Sequence, residues 1–269
     1  MLCVDRIQRK ETVITHKQLI EDHLIRDWLI RESLIGRQMA SIYDQNIVVD
    51  FEFAKTTKKA AASGLIHEII QIGAVRVSPE GDVLDTYSQF VQPDFAINID
   101  TTVKELTGIC WSDVRDAEHF SDAMEYFAHW VGEGRTRFVA WSPSDYEQLV
   151  KESRTKQAQL AITQMRWLDL QKVYPRLLNV GKRRGRMSLK TASEWCGVNV
   201  SKDLLHEALY DARVTAELLR QAITGEYLSQ KQVLSDLITP PEKHETLTSS
   251  LGSRFADLAK FRDLLAVSA

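Results

Sequence analysis

Three runs of alternating apolar residues crowd into residues 46 to 93: NIVVDFEF, HEIIQIGAVRVS and VLDTYSQFVQP. Pro79-Glu80-Gly81-Asp82, between the last two, is turn chemistry, so the spacing predicts an antiparallel meander. The period then changes. In FSDAMEYFAHWVGE, residues Phe120, Met124, Phe127, Ala128 and Val131 keep helical spacing up to Gly132 and Gly134, and RFVAWS follows as a short buried strand. A helix from about Asp145 to Gln159, a strand at RWLDLQ, a helix around SLKTASEWCG and a long helix through HEALYDARVTAELLRQAI continue the pattern. A meander followed by strand–helix alternation restricts the chain to an α/β fold, a mixed sheet with helices on its faces.

Within 269 residues, 44% of them hydrophobic, there is material for one sizeable core and extensions. The expected division is a helical N-terminal extension at 1–45, a main domain at 46–227 and a helical tail at 228–269. The first carries QLIEDHLIRDWLIRESLIGR, a Leu-Ile pair every five residues, with Ile25 and Leu29 turned away from the other six aliphatics. Such a helix wants neighbours on more than one side: it either docks on the main domain or forms a homodimer or protein-partner interface. In the tail, FADLAKFRDLLA after the Pro240-Pro241 break is amphipathic. A formal charge of -3 gives no bulk attraction for nucleic acid, so polyanion binding would rest on local basic patches or metal ions. The 3 cysteines, Cys3, Cys110 and Cys196, are dispersed, which argues against a disulfide framework or zinc site and for a reducing, cytoplasmic setting. Neither a membrane span nor a signal peptide is legible.

NIVVDFEFAK poses the chemical question. Side chains alternate on a strand, so Asp50 and Glu52 share a face, roughly 7 Å apart. Either they face water at an edge, or something positive lies between them, or one of them stays protonated. Two further positions belong with them, because α/β sheets place ligands at strand ends. Asp145 in FVAWSPSDYEQL follows a predicted strand, although Ser142-x-x-Asp145 and Ser144-x-x-Glu147 both also fit a capping box. In LLHEALYDARVTAELL, Asp211 lies among Ala208, Ala212 and Thr215 on the small-residue face, and His206 can join it only from before the helix or on its first turn. A metal site accounts for these residues jointly. Carboxylates without soft ligands suit Mg²⁺ or Mn²⁺, two such ions can clamp an in-line phosphoryl displacement, and an imidazole can take a proton from water near neutral pH.

The order acid-x-acid, acid, His-x4-Asp, carried by VVDFEF with EIIQIGAV, WSPSDYEQL and HEALYDARVTAELL, resembles the DEDDh branch of the DEDD 3′-to-5′ exonucleases over roughly residues 46 to 225. The resemblance implies a ribonuclease H-like, mixed five-stranded sheet flanked by helices. It implies that Asp50, Glu52 and Asp211 hold the more buried of two ions, that Asp50 also touches the second, and that Asp145 supports the second through water. His206 would be the general base, and the product a nucleoside 5′-monophosphate released from a single-stranded 3′ end. TVKELTGI is similar to the family segment whose Leu106, Thr107 and Gly108 lie near the terminal nucleotide. Where many members have Thr-Thr-Gly after acid-x-acid, this chain has Phe53, Ala54 and Lys55; with Trp141 ahead of Asp145, it looks more like the RNA-trimming members, which favours RNA over DNA. Phe53 either stacks on the terminal base or fills core. Lys55, Lys58 and Lys59, and Lys182, Arg183, Arg184, Arg186 and Lys190 around Gly181 and Gly185, mark where a strand might be gripped, unless the loop is merely solvated. The alternative function is a catalytically silent nucleic-acid-binding or scaffold protein on the same fold.

Overall fold

The computed structural model describes residues 43–62, 64–178, 186–201 and 205–227. The N-terminal Leu-Ile helix, the C-terminal tail and Gly181 to Gly185, with Lys182, Arg183 and Arg184, lie outside the described residues.

The meander forms as expected. Strands β1 (Gln45–Lys55), β2 (His67–Val77) and β3 (Val83–Gln92) run antiparallel in succession. The β2–β3 turn is tied by Ser78, whose Oγ accepts from Glu80 N at 3.2 Å and Asp82 N at 3.1 Å, while Gly81 takes a left-handed φ of 106°. On its other edge β1 pairs in parallel with β5 (Thr136–Ala140), which pairs in parallel with β6 (Arg166–Asp169). The sheet has six strands in the order β4-β3-β2-β1-β5-β6, one more than expected. The addition, β4 (Glu118–His119), is two residues paired in parallel with the end of β3, too short to leave an alternation in sequence.

Eight α-helices lie within the described residues: α1 (Lys58–Ala62), α2 (Thr101–Thr107), α3 (Trp111–Val114), α4 (Phe120–Val131), α5 (Ser144–Thr155), α6 (Leu170–Leu177), α7 (Leu189–Trp195) and α8 (Ala208–Thr224). The strand read at RWLDLQ ends at Asp169, and α6 begins on the next residue. Pro175 inside α6 argues against a helix by propensity, but Tyr174 is fully buried and its hydroxyl donates to the Leu218 carbonyl at 2.5 Å, so packing on α8 fixes the segment.

Two faces of β1 do different work. Ile47, Val49 and Phe51 enter the main core with Ile72, Phe120, Met124, Phe127, Phe138 and Leu149, beneath α4 and α5. Val48, Asp50 and Glu52 alternate onto the opposite face, the one covered by α8. A bulge follows: Glu52 is opposite Gln71 but Phe53 is opposite Ile69, so Ile70 is the extra residue on β2. Ile70 joins a second, smaller core with Ala54, Ala96, Ile109 and Val114. Among the described residues no helix is long and apolar enough to cross a membrane.

Candidate active site

Asp50 and Glu52 face α8 because α8 lies directly on the bare backbone of β2. Gly73 is opposite Asp50 in register, and a Cβ added to it would stand 2.1 Å from the Ala208 carbonyl carbon and 2.2 Å from Leu209 N. Any other residue there would hold the helix off the sheet. Next to it Gln71, opposite Glu52 and buried, fastens the helix start: its Oε1 accepts from Ala208 N and its Nε2 donates to Glu207 Oε1, each at 3.3 Å. Glu207 in turn caps α8 by accepting from Leu209 N at 3.3 Å and Tyr210 N at 2.7 Å.

That seating brings Asp211 and His206 to the acids on β1. His206 precedes the helix, with φ at 71°, a left-handed conformation that histidine visits more often than most residues. Its backbone N–H donates to Asp211 Oδ2 at 3.2 Å, which pins the strained residue in place. Asp211 Oδ1 is buried and accepts no hydrogen bond. Ligand atoms of Glu52, His206 and Asp211 all lie within 4.8 Å of one another. The imidazole is exposed while both acids are buried, so this group opens to solvent on the histidine side.

Asp145 arrives by another route. Neither capping box forms: the cap of α5 is Pro143, which makes no side-chain cap bond, and Ser142 Oγ accepts from Ser144 N at 3.2 Å instead. The Asp145 carboxylate reaches back to β1, where Oδ1 accepts from Phe51 N at 3.0 Å. Pairing of β1 with β5 ends at Val48 and Val139, so the Phe51 N–H beyond it has lost its neighbouring strand. Asp145 replaces that strand for one bond and is thereby held, 5% exposed, beside Asp50.

The electrostatics of this cluster are those of crowded, buried carboxylates. Burial, then the charges of Asp145, Glu52, Asp211 and Glu207, push the Asp50 carboxyl well above the usual range. Burial, then Asp211, Asp145 and Glu207, push Glu52 up to about 8. Burial lifts Asp145 to about 7, against hydrogen bonds from Phe51, its own N–H and Ser142 that favour the anion. Asp211 is also raised by burial, opposed mainly by the His206 N–H. Every charge that perturbs Asp50 and Glu52 is another carboxylate. Hard oxygen donors, one imidazole and a buried oxygen without a partner fit a divalent cation such as Mg²⁺ or Mn²⁺.

The remaining site residues named from sequence are dispersed. Ala54 is buried in the smaller core, and Val103 of α2 packs against that core. Leu106 is 51% exposed, and Thr107 turns its hydroxyl back to accept from Ile109 N at 3.1 Å and donate to the Val103 carbonyl at 2.8 Å. Phe53 packs, partly buried, against the main core on the face away from Asp50 and Glu52. Trp141 is 6% exposed; its Nε1 donates to the Met187 carbonyl at 3.2 Å, where Gln171 Nε2 also donates at 2.8 Å. The two side chains fix the chain just after the basic loop. Sequence reasoning missed Gly73, Gln71 and Glu207, although an isolated glycine inside a strand pattern does signal close backbone approach.

A mixed sheet that delivers acid-x-acid from a central strand, a third acid from the helix after β5 and His-x4-Asp from the start of a last helix defines the ribonuclease H-like exonuclease class. The sequence profile of the exonuclease (RNase_T) family matches residues 47–219. Human 3′-5′ exoribonuclease 1 is 23% identical over 222 residues, 75% of this chain and 62% of the relative; the rat protein of that name is 23% identical over 160 residues, 55% and 45%. The chain thus spans less than two thirds of the length of these relatives. Among solved structures, a 3′-exonuclease recognising the 3′ end of a histone mRNA stem-loop aligns with a TM-score of 0.60 at 18% identity, covering 68% of this chain and 64% of that one. The nuclease domain of 3′hExo, a DEDDh family member bound to rAMP, aligns with a TM-score of 0.58 at 20% identity, covering 68% and 96%. These two likenesses bear on the fold. The chain belongs to the exonuclease (RNase_T) family.

Proposed function

We propose that this chain hydrolyses single-stranded nucleic acid, RNA in preference to DNA, from its 3′ end, releasing nucleoside 5′-monophosphates. The observation that carries the reading is the buried, unpartnered Asp211 Oδ1 within the Glu52–His206–Asp211 group. RNA is favoured by the names of the relatives, which are exoribonucleases. Asp50, Glu52, Asp145 and Asp211 would hold Mg²⁺ or Mn²⁺, two ions per site, whose chemistry is to neutralise charge developing on the phosphoryl and leaving oxygens.

The chain's own residues supply position and a base. Asp145 is held beside Asp50 by the bond that its Oδ1 accepts from Phe51 N. His206, exposed at the open side, takes the proton from the attacking water on a ring nitrogen. The water oxygen bonds to phosphorus, the bond to the penultimate 3′-oxygen breaks, and that oxygen takes a proton from solvent. The test is digestion of 5′-labelled and 3′-labelled oligoribonucleotides and oligodeoxyribonucleotides with Mg²⁺ or Mn²⁺. A ladder that shortens from the 3′ end, faster on RNA, is expected, with Asp50→Ala inactive and His206→Ala slowed by about 10²-fold or more at little change in RNA affinity. Inertness of the wild-type chain toward every substrate would leave the silent-binder alternative standing.

A further inference from the structure

The described residues include a buried charge group that the chemistry above does not use. Lys156, just past α5 and 7% exposed, has its ammonium 2.8 Å from Glu68 Oε1, 2.6 Å from Asp94 Oδ2 and 2.9 Å from Glu152 Oε1. Glu68 on β2 is fully buried and accepts from three consecutive backbone N–H groups: Asp94 at 2.8 Å, Phe95 at 2.9 Å and Ala96 at 2.7 Å. A chain segment seized at three successive amides has its path fixed. The far side of Asp94 meets His119 Nδ1 at 2.6 Å.

What this segment leads into is α2. Ala96 anchors in the smaller core, Asp100 caps α2 by accepting from Val103 N at 3.0 Å, and Lys55 holds Asp100 at 3.3 Å. The helix buries no residue of its own completely, so its placement comes from these flanks. It rests through Val103 on the core containing Ala54, which shares the strand face of Asp50 and Glu52, and it turns Leu106 outward.

We infer that Lys156 is a positioning residue for the 3′-terminal nucleotide: with Glu68 and Asp94 it clamps residues 94–96 and so sets the seating of α2 on the Ala54 core, from which the exposed Leu106 would meet that nucleotide. The inference rests on the exonuclease reading. In the full chain, Lys156→Met should raise KM for a single-stranded oligoribonucleotide about tenfold with kcat and Mn²⁺ affinity unchanged, because an apolar contact is displaced while the acids stay. In a Leu106→Ala background, the same change should raise KM less than twofold, since the contact through which Lys156 acts is already gone. An equal effect in both backgrounds, or a fall in kcat alone, overturns the inference. Amide hydrogen exchange supplies a readout independent of activity, and Asp94→Asn, which keeps the shape of the clamp, serves where Lys156→Met fails to fold. Exchange at residues 94–107 faster by about tenfold, with α8 unchanged, supports the clamp; unchanged exchange, or a uniform rise across the domain, refutes it. A wild-type chain inert on all substrates would sink the exonuclease reading, while the exchange experiment would still report on the clamp.

Discussion

A methyl group at position 73 has nowhere to go, since its nearest neighbours are backbone atoms of Ala208 and Leu209 and not the far ends of side chains. Gly73→Ala should therefore lift the start of α8 and carry Asp211 and His206 with it. The expected outcome is a drop in exonuclease rate of about 10²-fold with destabilisation of about 1–3 kcal/mol, checked by kinetics and thermal melting; a wild-type rate would show that the helix is not gauged by this contact. Glu52 gives a prediction of opposite sign for stability. Its carboxyl is held up at about 8, so between the ordinary glutamate range and that value the folded state binds more protons than the unfolded chain, and stability falls as pH rises through the window. With EDTA present, the melting temperature should decline from pH 5 to pH 8, and Glu52→Gln should flatten the decline and raise the melting temperature at pH 7.5 by several degrees while abolishing cleavage. Divalent ions should reverse the wild-type decline and release protons on binding, which calorimetry in two buffers of different ionisation enthalpy can count. The acids were legible because strand alternation puts Asp50 and Glu52 on one face whatever the rest of the chain does. Gly73 was not, because a glycine announces close approach without saying which backbone approaches.

Elements position the third acid. Since β5 stops pairing with β1 at Val139, α5 must bring Asp145 back to satisfy the Phe51 N–H. Asp145→Ala should cost about 1–3 kcal/mol through that orphaned donor, whereas Asp145→Asn, which still offers an oxygen to Phe51, should keep most of the stability and lose activity. Denaturant unfolding of the two variants separates the roles; equal stability losses would mean that the Phe51 bond contributes little. Long periodic elements such as α4 and α8 could be read from their apolar spacing. The short ones could not: α2 has seven residues, none fully buried, β4 has two, and α6 contains a proline that only the buried Tyr174 overrides. Phe53 is instructive in between, because alternation alone places it opposite to Glu52 and with Phe51, which is where it packs.

For the molecule as a whole, a net charge of -3 means that RNA is not drawn in by bulk attraction. If Arg183 and Arg184 grip the strand, replacing both by Ala should weaken RNA binding and flatten its dependence on salt concentration by about two phosphate contacts' worth; unchanged binding across a salt titration would rule the loop out. The site itself spans the domain. Three of its acids, Asp50, Glu52 and Asp145, precede residue 146, while Asp211 and His206 arrive only with the last described helix, seated on β2 through Gly73 and Gln71. A ribosome making this chain would thus expose Asp50, Glu52 and Asp145 well before the group is complete. On the proposed activity, competence and the docking of α8 would be the same event, and a partly made or partly unfolded chain would leave nucleic acid nearby intact.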